Sequence, residues 1–316
     1  MISAEEVVQG YNLILGRNPE SEAVIEGHRS HADRLTLWRV LASSEEFAAG
    51  SPAEAAAQVI QARTLFDGPW PIQHEANPEQ LAAMTARIER AWSRLGEEDP
   101  YWSVLTADRY RGETVEAAVL EEFWASGRRH AGLVDVFERR TGRVPTRGVC
   151  LEIGCGVGRV TGPLAERFDE VIALDISPGN LAICERRMAD LGLDHVDCRR
   201  IAGLDDFDRL PEADFVFSTH VLQHNPPPVQ RSILRSVLTK IRPGGAILFQ
   251  VPTDVPGYSF DIDAYLHSPE MGLEMHALPR AVVLADIREA GLELLDVTPD
   301  PFTGVAGSMT FYAGRP

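Results

Sequence analysis

The sequence predicts an α/β fold, a mostly parallel sheet with helices on both faces, preceded by an all-α region. Apolar runs alternate with amphipathic segments through the second half of the 316-residue chain, as expected for strands joined by crossover helices. The run 148–153 leads into a glycine-rich turn, and the next run, 171–174, ends on Asp175. Strand, glycine turn, helix, strand and acid in this order are typical of the start of a nucleotide-binding α/β domain.

The first 66 residues are predicted to form a separate helical module. Ser3 and Glu6 fit a capping box, and apolar residues from Val7 to Leu15 then recur on one helical face. A second helix is expected to begin at Asn18-Pro19. A third is expected to carry the apolar stripe Leu35, Trp38 and Leu41, and a short fourth to begin at Ser44.

Residues 67–119 are predicted to be a linker and a helical cap. Glycine and prolines at 67–71 interrupt the helical pattern. An amphipathic helix is expected over 81–95, followed by the aromatic and polar segment 100–105. A further helix, 114–140, leads to the first strand, and the α/β domain is taken to cover 120–316.

The remaining elements of that domain alternate in the same way. Helices are predicted over 177–191, 229–241 and 279–291, and strands over 195–201, 213–218, 246–251, 292–297 and 308–312. The last two strands are expected to form a terminal β-hairpin.

The ligand of the glycine turn is predicted from the charges around it. Gly154 and Gly156 allow close approach of the backbone, and the following helix offers free N–H groups. Asp175 is placed to accept hydrogen bonds from ribose hydroxyls. A dinucleotide turn would have its third glycine where Arg159 stands, and Glu152 would repel a diphosphate. The same carboxylate suits a cationic nucleoside, and S-adenosylmethionine carries an ammonium, a sulfonium and no phosphate.

The segment 151–159 resembles motif I of class I S-adenosylmethionine-dependent methyltransferases, and Asp175 resembles their ribose-binding acid. The Pro243-Gly244-Gly245 turn is a further family mark. The resemblance covers about 120–316 and implies a Rossmann-like seven-stranded sheet with S-adenosylmethionine as cofactor. It assigns cofactor contacts to Glu152, Gly154, Cys155, Gly156, Arg159, Asp175, Ile176, Gly203, Leu204, Thr219 and His220.

Two parts of the cofactor site are left open by this resemblance. The helix before the first strand covers the cofactor in the family, so 114–140 is expected either to form a lid or to pack against the sheet edge. Many relatives have an acid after the third strand for the adenine amino group, whereas this chain has Ile201 to Leu204. Backbone groups and apolar packing are expected to hold adenine, with Asp205 or Asp206 in reserve.

The candidate base is a histidine after a strand end. Ligands of open α/β sheets bind beyond the carboxyl ends of the strands, which selects His220, His224 and His276. A hydroxyl acceptor needs a base, and imidazole, with a pKa of about 6.5, suits neutral pH. His224 is favoured as base, with His276 orienting the acceptor or taking that role itself. His220 is expected to contact the cofactor or to fix its loop.

A metal site is the alternative for the three histidines, with Asp261 and Asp263 as further ligands. The prolines 226–228 leave little helix to hold that geometry, so no metal is expected. The four cysteines contain no C-x-x-C pair and are expected to be reduced thiols in the cytoplasm.

Composition excludes two broad classes of function. A formal charge of −17 argues against nucleic acid, since phosphate binding needs a basic face. The N-terminus lacks the basic and apolar regions of a signal peptide, and no apolar run approaches the ~18 residues of a membrane span.

The N-terminal module resembles phycobilisome-linker-like domains appended to bacterial enzymes of surface-glycan metabolism. The resemblance rests on the segments 14–19 and 42–47, and a helical cap without a binding role remains the alternative. The resemblance implies a possible protein partner and favours a hydroxyl of a sugar or glycan precursor as methyl acceptor. The alternatives are a natural product or other metabolite methylated on O or N, and a cofactor-binding scaffold without catalysis.

Overall fold

The computed structural model has a seven-stranded mixed sheet in the order β3-β2-β1-β4-β5-β7-β6. The structure describes residues 2–15, 17–44, 71–112, 115–255, 257–270, 272–301, 304 and 307–316. The strands are β1 (Val149–Ile153), β2 (Glu170–Asp175), β3 (Val196–Arg200), β4 (Ala213–Ser218), β5 (Ile241–Pro252), β6 (Glu293–Pro299) and β7 (Ser308–Gly314). Strands β1 to β5 pair in parallel, whereas β7 is antiparallel to both β5 and β6. The predicted α/β fold is confirmed.

The N-terminal helices are α1 (Ala4–Ile14), α2 (Glu22–His28) and α3 (Arg34–Ala42). The capping box of Ser3 and Glu6 is present, and α1 and α3 bury a small core that includes Val7, Tyr11 and Trp38. The helix expected from Ser44 and the linker 67–71 lie largely outside the described residues.

The helices around the sheet are α4 (Pro78–Glu98), α5 (Pro100–Val104), α6 (Ala117–Ala131), α7 (Leu133–Thr141), α8 (Thr161–Ala165), α9 (Pro178–Asp190), α10 (Asp205–Asp208), α11 (Pro227–Thr239), α12 (Ile262–His267) and α13 (Arg280–Glu289). Two differences from the sequence prediction are local. The helix expected over 114–140 is two helices that meet at Gly132. Strand β5 begins at Ile241 because this residue already pairs with Ala213.

The centre of the sheet is buried on both faces and mostly apolar. Strand β1 lies between β2 and β4, and Phe215, Phe217 and Leu248 are buried beside it. A parallel sheet buried in this way directs the carboxyl ends of β1, β2 and β4 to one edge. That edge carries the glycine turn, Asp175 and the segment after Ser218.

The chain divides into two compact units by its contacts. One contains residues 1–70 with 254–258 and 304–307, and the other contains 71–253, 259–303 and 308–316. Residues 71–119, which the sequence analysis treated as linker and cap, thus belong to the same unit as the sheet. Within the part of the chain that is described, no helix is long and apolar enough to cross a membrane.

Candidate active site

The glycine turn after β1 is built for close packing. Gly154, Gly156 and Gly158 all have positive φ, of 73°, 56° and 89°, which glycine adopts at no steric cost. A Cβ on Gly154 would lie 2.3 Å from Val221, and one on Gly156 would lie 2.6 Å from Val104 of α5. The N–H groups of Gly154 and Cys155 both donate to Leu174 O, so the turn is fixed against the end of β2.

A cleft of about 1090 Å³, counting its solvent-open part, lies along this edge of the sheet. Every residue predicted to contact the cofactor lines it: Glu152, Gly154, Cys155, Gly156, Arg159, Asp175, Ile176, Gly203, Leu204, Thr219 and His220. His224 lines it as well, but His276 does not. A concave, mostly apolar site with a few polar groups is typical of small-molecule binding.

Glu152 is buried, with 2% of its surface exposed, and it lines the cleft. Burial raises the pKa of this carboxyl to about 7, against opposing effects of the Thr161 hydroxyl and the Arg159 charge. Its Oε2 atom has no hydrogen-bond partner among the described residues. A cationic or hydrogen-bond-donating group placed next to Oε2 would therefore stabilise the ionised form of Glu152.

Asp175 is held by the backbone at the end of β2. Its Oδ2 accepts a hydrogen bond from Gly156 N at 2.7 Å, and its Oδ1 accepts one from Ser177 N at 2.8 Å. Burial raises the pKa of this carboxyl, and these backbone hydrogen bonds oppose the rise. Each oxygen keeps a second lone pair, so the carboxylate can accept from both hydroxyls of a ribose.

The segment after β3 contributes apolar and backbone surface. Gly203 and Leu204 line the cleft together with Ile176, which follows β2, and Asp206 accepts from Ala202 N at 2.7 Å. Asp206 therefore serves to cap this loop, and Asp205 does not line the cleft. The suggestion that Asp205 or Asp206 could bind the adenine amino group is therefore corrected, since neither carboxylate lines the cleft.

Arg159 is buried among polar neighbours from α6. Its Nη1 donates to Ser126 Oγ at 3.2 Å and lies 3.1 Å from His130 Nδ1, and burial lowers its pKa to about 10. Gly127 permits this contact, because a Cβ there would lie 1.8 Å from the backbone oxygen of Arg159. The side chain thus joins α6 to the glycine turn as well as lining the cleft.

Thr219 and His220 follow β4 directly. His220 has a positive φ of 63°, which is unusual for a residue with a side chain. Its N–H donates to Oε1 of the buried Gln250 at 2.9 Å, and its ring lies edge-on to His130 with centroids 5.0 Å apart. This strained turn is one that the sequence did not indicate.

His224 lies in the wall of the cleft beside Trp92, with ring centroids 5.2 Å apart. Its Nδ1 lies 2.9 Å from the main-chain oxygen of Glu274, and its Nε2 lies 3.2 Å from Gln223 Nε2. Burial lowers the pKa of the imidazole to about 4. The ring is neutral at pH 7, and the expectation of a pKa near 6.5 is corrected.

The placement of His276 is also corrected. Its Nε2 lies 3.2 Å from Glu274 Oε2, and its ring contacts Phe260 and Tyr265 edge-on. Arg87 donates to the other oxygen of Glu274 at 2.7 Å. His276 therefore packs outside the set of residues that line the cleft, and this placement does not support a role as base for an acceptor bound there.

The cover of the cleft comes from α4 and α5, which belong to the segment predicted to be a linker and helical cap and not to the expected lid 114–140. Gly96 allows this approach, since a Cβ there would lie 2.0 Å from Ser177 Oγ. Within the described residues 115–140 of the expected lid, none lines the cleft, and Gly127 packs against Arg159 instead. Residues missed by the sequence analysis are Thr85, Ile88, Trp92, Ser103, Val104 and Asn180. The spacing of Ile88 and Trp92, which puts both on one face of a helix, was the sequence signal that could have indicated these lining residues.

The metal alternative has no support in the side-chain placement. Among the residues that can be described, no three histidine, cysteine or acidic side chains are grouped so that they could hold a metal ion. His224 and His276 in particular bind different parts of Glu274.

Comparison with known proteins agrees with this geometry. Residues 151–247, from the glycine turn into β5, match the family model of a methyltransferase domain. Residues 151–247 thus form a methyltransferase domain. The expectation drawn from motif I and Asp175 is therefore confirmed at the level of the family.

Individual relatives of the methyltransferase domain are distant. The ubiquinone biosynthesis O-methyltransferase of Stutzerimonas stutzeri is 30% identical over 114 residues, 35% of this chain and 48% of that protein. The protein of the same name from Pseudomonas savastanoi is 29% identical over 170 residues, 48% of this chain and 69% of that protein. The trans-aconitate 2-methyltransferase of Methylobacterium nodulans is 32% identical over 123 residues, 38% and 44% of the two chains. The chain thus spans about half the length of the first of these relatives.

A solved structure shares the fold of the methyltransferase domain. The magnesium protoporphyrin IX methyltransferase of Synechocystis, with bound SAH, is 17% identical, with a TM-score of 0.50 over 73% of this chain and 99% of that one. This likeness confirms the fold class.

The cleft of the methyltransferase domain fits S-adenosylmethionine. Two buried oxygens that line it, Glu152 Oε2 and Asn180 Oδ1, lack a partner within the described chain, and the cofactor supplies an ammonium and ribose hydroxyls as donors. Asp175 has lone pairs for the ribose, and Ile176, Gly203 and Leu204 offer the apolar and backbone surface for adenine. When bound, the cofactor supplies an electrophilic methyl group on a sulfonium.

Proposed function

We propose that the protein transfers a methyl group from S-adenosylmethionine to an oxygen of a small molecule, with His224 as the base. The observation that carries the proposal is the position of His224, which lines the cleft after β4 beside Trp92. A positioned imidazole removes the proton of a hydroxyl as the oxygen attacks, which raises the rate by about 10²- to 10⁴-fold. The cofactor-binding role of the eleven lining residues named above forms part of this proposal.

The low pKa of His224 favours an acceptor whose hydroxyl is acidic. A base with a pKa of about 4 removes the proton of an acidic hydroxyl far more readily than that of an alcohol. A phenol-like hydroxyl, with a pKa of roughly 10, is therefore the favoured acceptor class. The names of the relatives agree, since two of them are O-methyltransferases.

A sugar or glycan-precursor hydroxyl is the second acceptor class. Trp92 supports it, because an aromatic ring in a cleft wall can pack against the apolar face of a sugar ring. The resemblance of the N-terminal module to domains of glycan-metabolising enzymes points the same way. Against it, an alcohol demands a stronger base than His224 provides.

The test is a methyl-transfer assay with labelled S-adenosylmethionine and matched acceptors. Catechols, hydroxybenzoates, free sugars and nucleotide sugars are offered at equal concentration, and the phenols are expected to be methylated first. Asp175→Ala serves as the cofactor control and is expected to raise the cofactor KM by roughly 10- to 100-fold through lost hydrogen bonds to a charged acceptor. Asp190→Ala, on exposed α9 surface, should leave it unchanged.

The same assay addresses the rival class, a scaffold without catalysis. Tight cofactor binding with no transfer to any acceptor, and none to water-soluble extracts of cell-envelope precursors, would favour the scaffold. Calorimetric heat with NADH and none with S-adenosylmethionine would contradict the cofactor itself.

The N-terminal module is proposed to be separable and to bind a protein partner. A chain shortened to begin at Pro71 is expected to fold and to bind S-adenosylmethionine within about threefold of the full chain, because the cleft-lining residues lie between Thr85 and Ile233. Calorimetry on both chains measures this. Aggregation or loss of binding by the shortened chain would mean that residues 1–66 are part of the catalytic unit.

We also propose that the protein works in the cytoplasm. The four cysteines contain no C-x-x-C pair, and cysteines without a disulfide pattern are typical of proteins in a reducing compartment.

A further inference from the structure

The side-chain amide of Gln223 has an unmet hydrogen-bonding requirement next to His224. The side chain is 3% exposed, and its Nε2 lies 3.2 Å from His224 Nε2. Its Oε1 is buried and finds no donor in any residue that the structure describes. A buried amide oxygen without a donor is unfavourable and calls for an explanation.

The two contacts of the imidazole determine which nitrogen carries its proton. The main-chain oxygen of Glu274 can only accept, so His224 Nδ1 carries a hydrogen and donates to it at 2.9 Å. In the neutral ring Nε2 then has a lone pair, which accepts from the NH₂ group of Gln223. Once Nε2 is protonated, both it and the NH₂ group of Gln223 are donors, so they cannot form a hydrogen bond. The unpaired Oε1 of Gln223 could instead accept a hydrogen bond from Nε2–H.

We propose that Gln223 is a positioning residue that follows the proton on His224, an inference that rests on the proposed role of His224 as base. With the neutral ring, the amide NH₂ donates to Nε2. A half-turn of the amide releases this lone pair and presents Oε1 to the Nε2–H that forms. In that step the O–H bond of the acceptor breaks, its electron pair stays on the acceptor oxygen, and the proton binds to Nε2. The proton later passes to solvent and the amide turns back.

The surroundings of His224 make such a partner necessary. Burial and the charge of His276 disfavour the imidazolium, and His220 stands in the same cleft. The nearby carboxylate, Glu274, is itself engaged by His276 and by Arg87. The oxygen of Gln223 is thus the acceptor available to a proton on Nε2.

The test is an NMR titration of protein carrying ¹⁵N-labelled histidine and glutamine. In the wild type, His224 should show the Nδ1–H tautomer, and the side-chain amide of Gln223 should change with the same midpoint as His224. In Gln223→Met the midpoint should fall by roughly half a pH unit or more, because the cation loses a stronger hydrogen bond than the neutral ring does. In Gln223→Glu it should rise by about one unit or more.

The direction of the Gln223→Met shift decides between two mechanisms. A fixed amide that only donates stabilises the neutral ring, so its removal would raise the midpoint and overturn the proposal. An Nε2–H tautomer, or a wild-type amide that does not respond to the titration, would overturn it without any variant. Gln230→Met is the matched control, since Gln230 is a buried amide that donates to Asn225 O and likewise has an unpaired Oε1 within the described chain. This control should leave the midpoint unchanged.

The titration needs neither acceptor nor turnover. A failure of the methyltransferase proposal would appear in the transfer assay and leave the titration intact. Failure of the Gln223 proposal would leave methyl transfer in place.

Discussion

Glu152→Gln is expected to weaken S-adenosylmethionine binding by roughly 10- to 100-fold, the effect of losing a hydrogen bond to a charged group, while the ligand-free protein becomes more stable at pH 8. The two effects have opposite signs because Glu152 is a buried carboxyl with an unpartnered oxygen among the described residues. Its ionised form is unfavourable in the empty cleft and favourable next to an ammonium.

The pH dependence follows from the raised pKa. The folded protein holds the proton of Glu152 up to about pH 7, whereas an ordinary glutamate has a pKa of 4.5. Between these values the folded state binds more protons than the unfolded state, so its stability falls as the pH rises. At about 1.4 kcal/mol per pH unit, the penalty above pH 7 is on the order of 3 kcal/mol, and glutamine removes it.

Calorimetry and urea denaturation at pH 5 and pH 8 measure both effects. Glu138→Gln is the matched control: Glu138 is a buried carboxylate paired with Arg147 at 2.7 Å, outside the cleft. Its loss should destabilise the protein and leave cofactor affinity unchanged. A Glu152→Gln protein that binds S-adenosylmethionine normally would remove Glu152 from the cofactor site.

His224→Ala is expected to lower turnover by about 10²- to 10⁴-fold, the usual contribution of a positioned base. Cofactor affinity should stay within about threefold, because Glu152 and Asp175 carry the predicted cofactor contacts. Steady-state kinetics with the best acceptor, together with cofactor calorimetry, measure the two quantities separately.

The pH–rate profile gives a second readout of the same residue. At saturating S-adenosylmethionine, wild-type turnover should decline as the pH falls through about 4, where the imidazole of His224 becomes protonated and can no longer accept a proton. The variant should lack this limb. His195→Ala is the control, since His195 binds Ala165 O and does not line the cleft. Normal turnover by His224→Ala would mean that the acceptor oxygen is already ionised and needs no base.

Much of the cofactor half of the site could be predicted from the sequence because its determinants are local. Two apolar runs, a glycine turn and an acid at a strand end follow one another within 151–175, and parallel pairing of the strands then brings Glu152 and Asp175 to one edge. The same reasoning placed His224 correctly, because it follows β4 by only a few residues.

The acceptor half was decided by contacts between distant parts of the chain. The cover of the cleft is α4 and α5 because Gly96 and Gly156 admit Ser177 and Val104 at close range, and helical periodicity does not reveal which surface a helix meets. His276 was misplaced because Arg87, nearly two hundred residues earlier in the sequence, fixes Glu274 and with it the position of His276.

The sequence by itself determined the succession of strands and helices along the chain, the class of cofactor and the sheet edge where chemistry occurs, since each depends on residues that are neighbours in the chain. Only the tertiary structure decided the proton affinity of Glu152 and His224, because burial and the partners contributed by distant segments set a pKa. It also decided which histidine faces the cleft and placed Gln223 beside it.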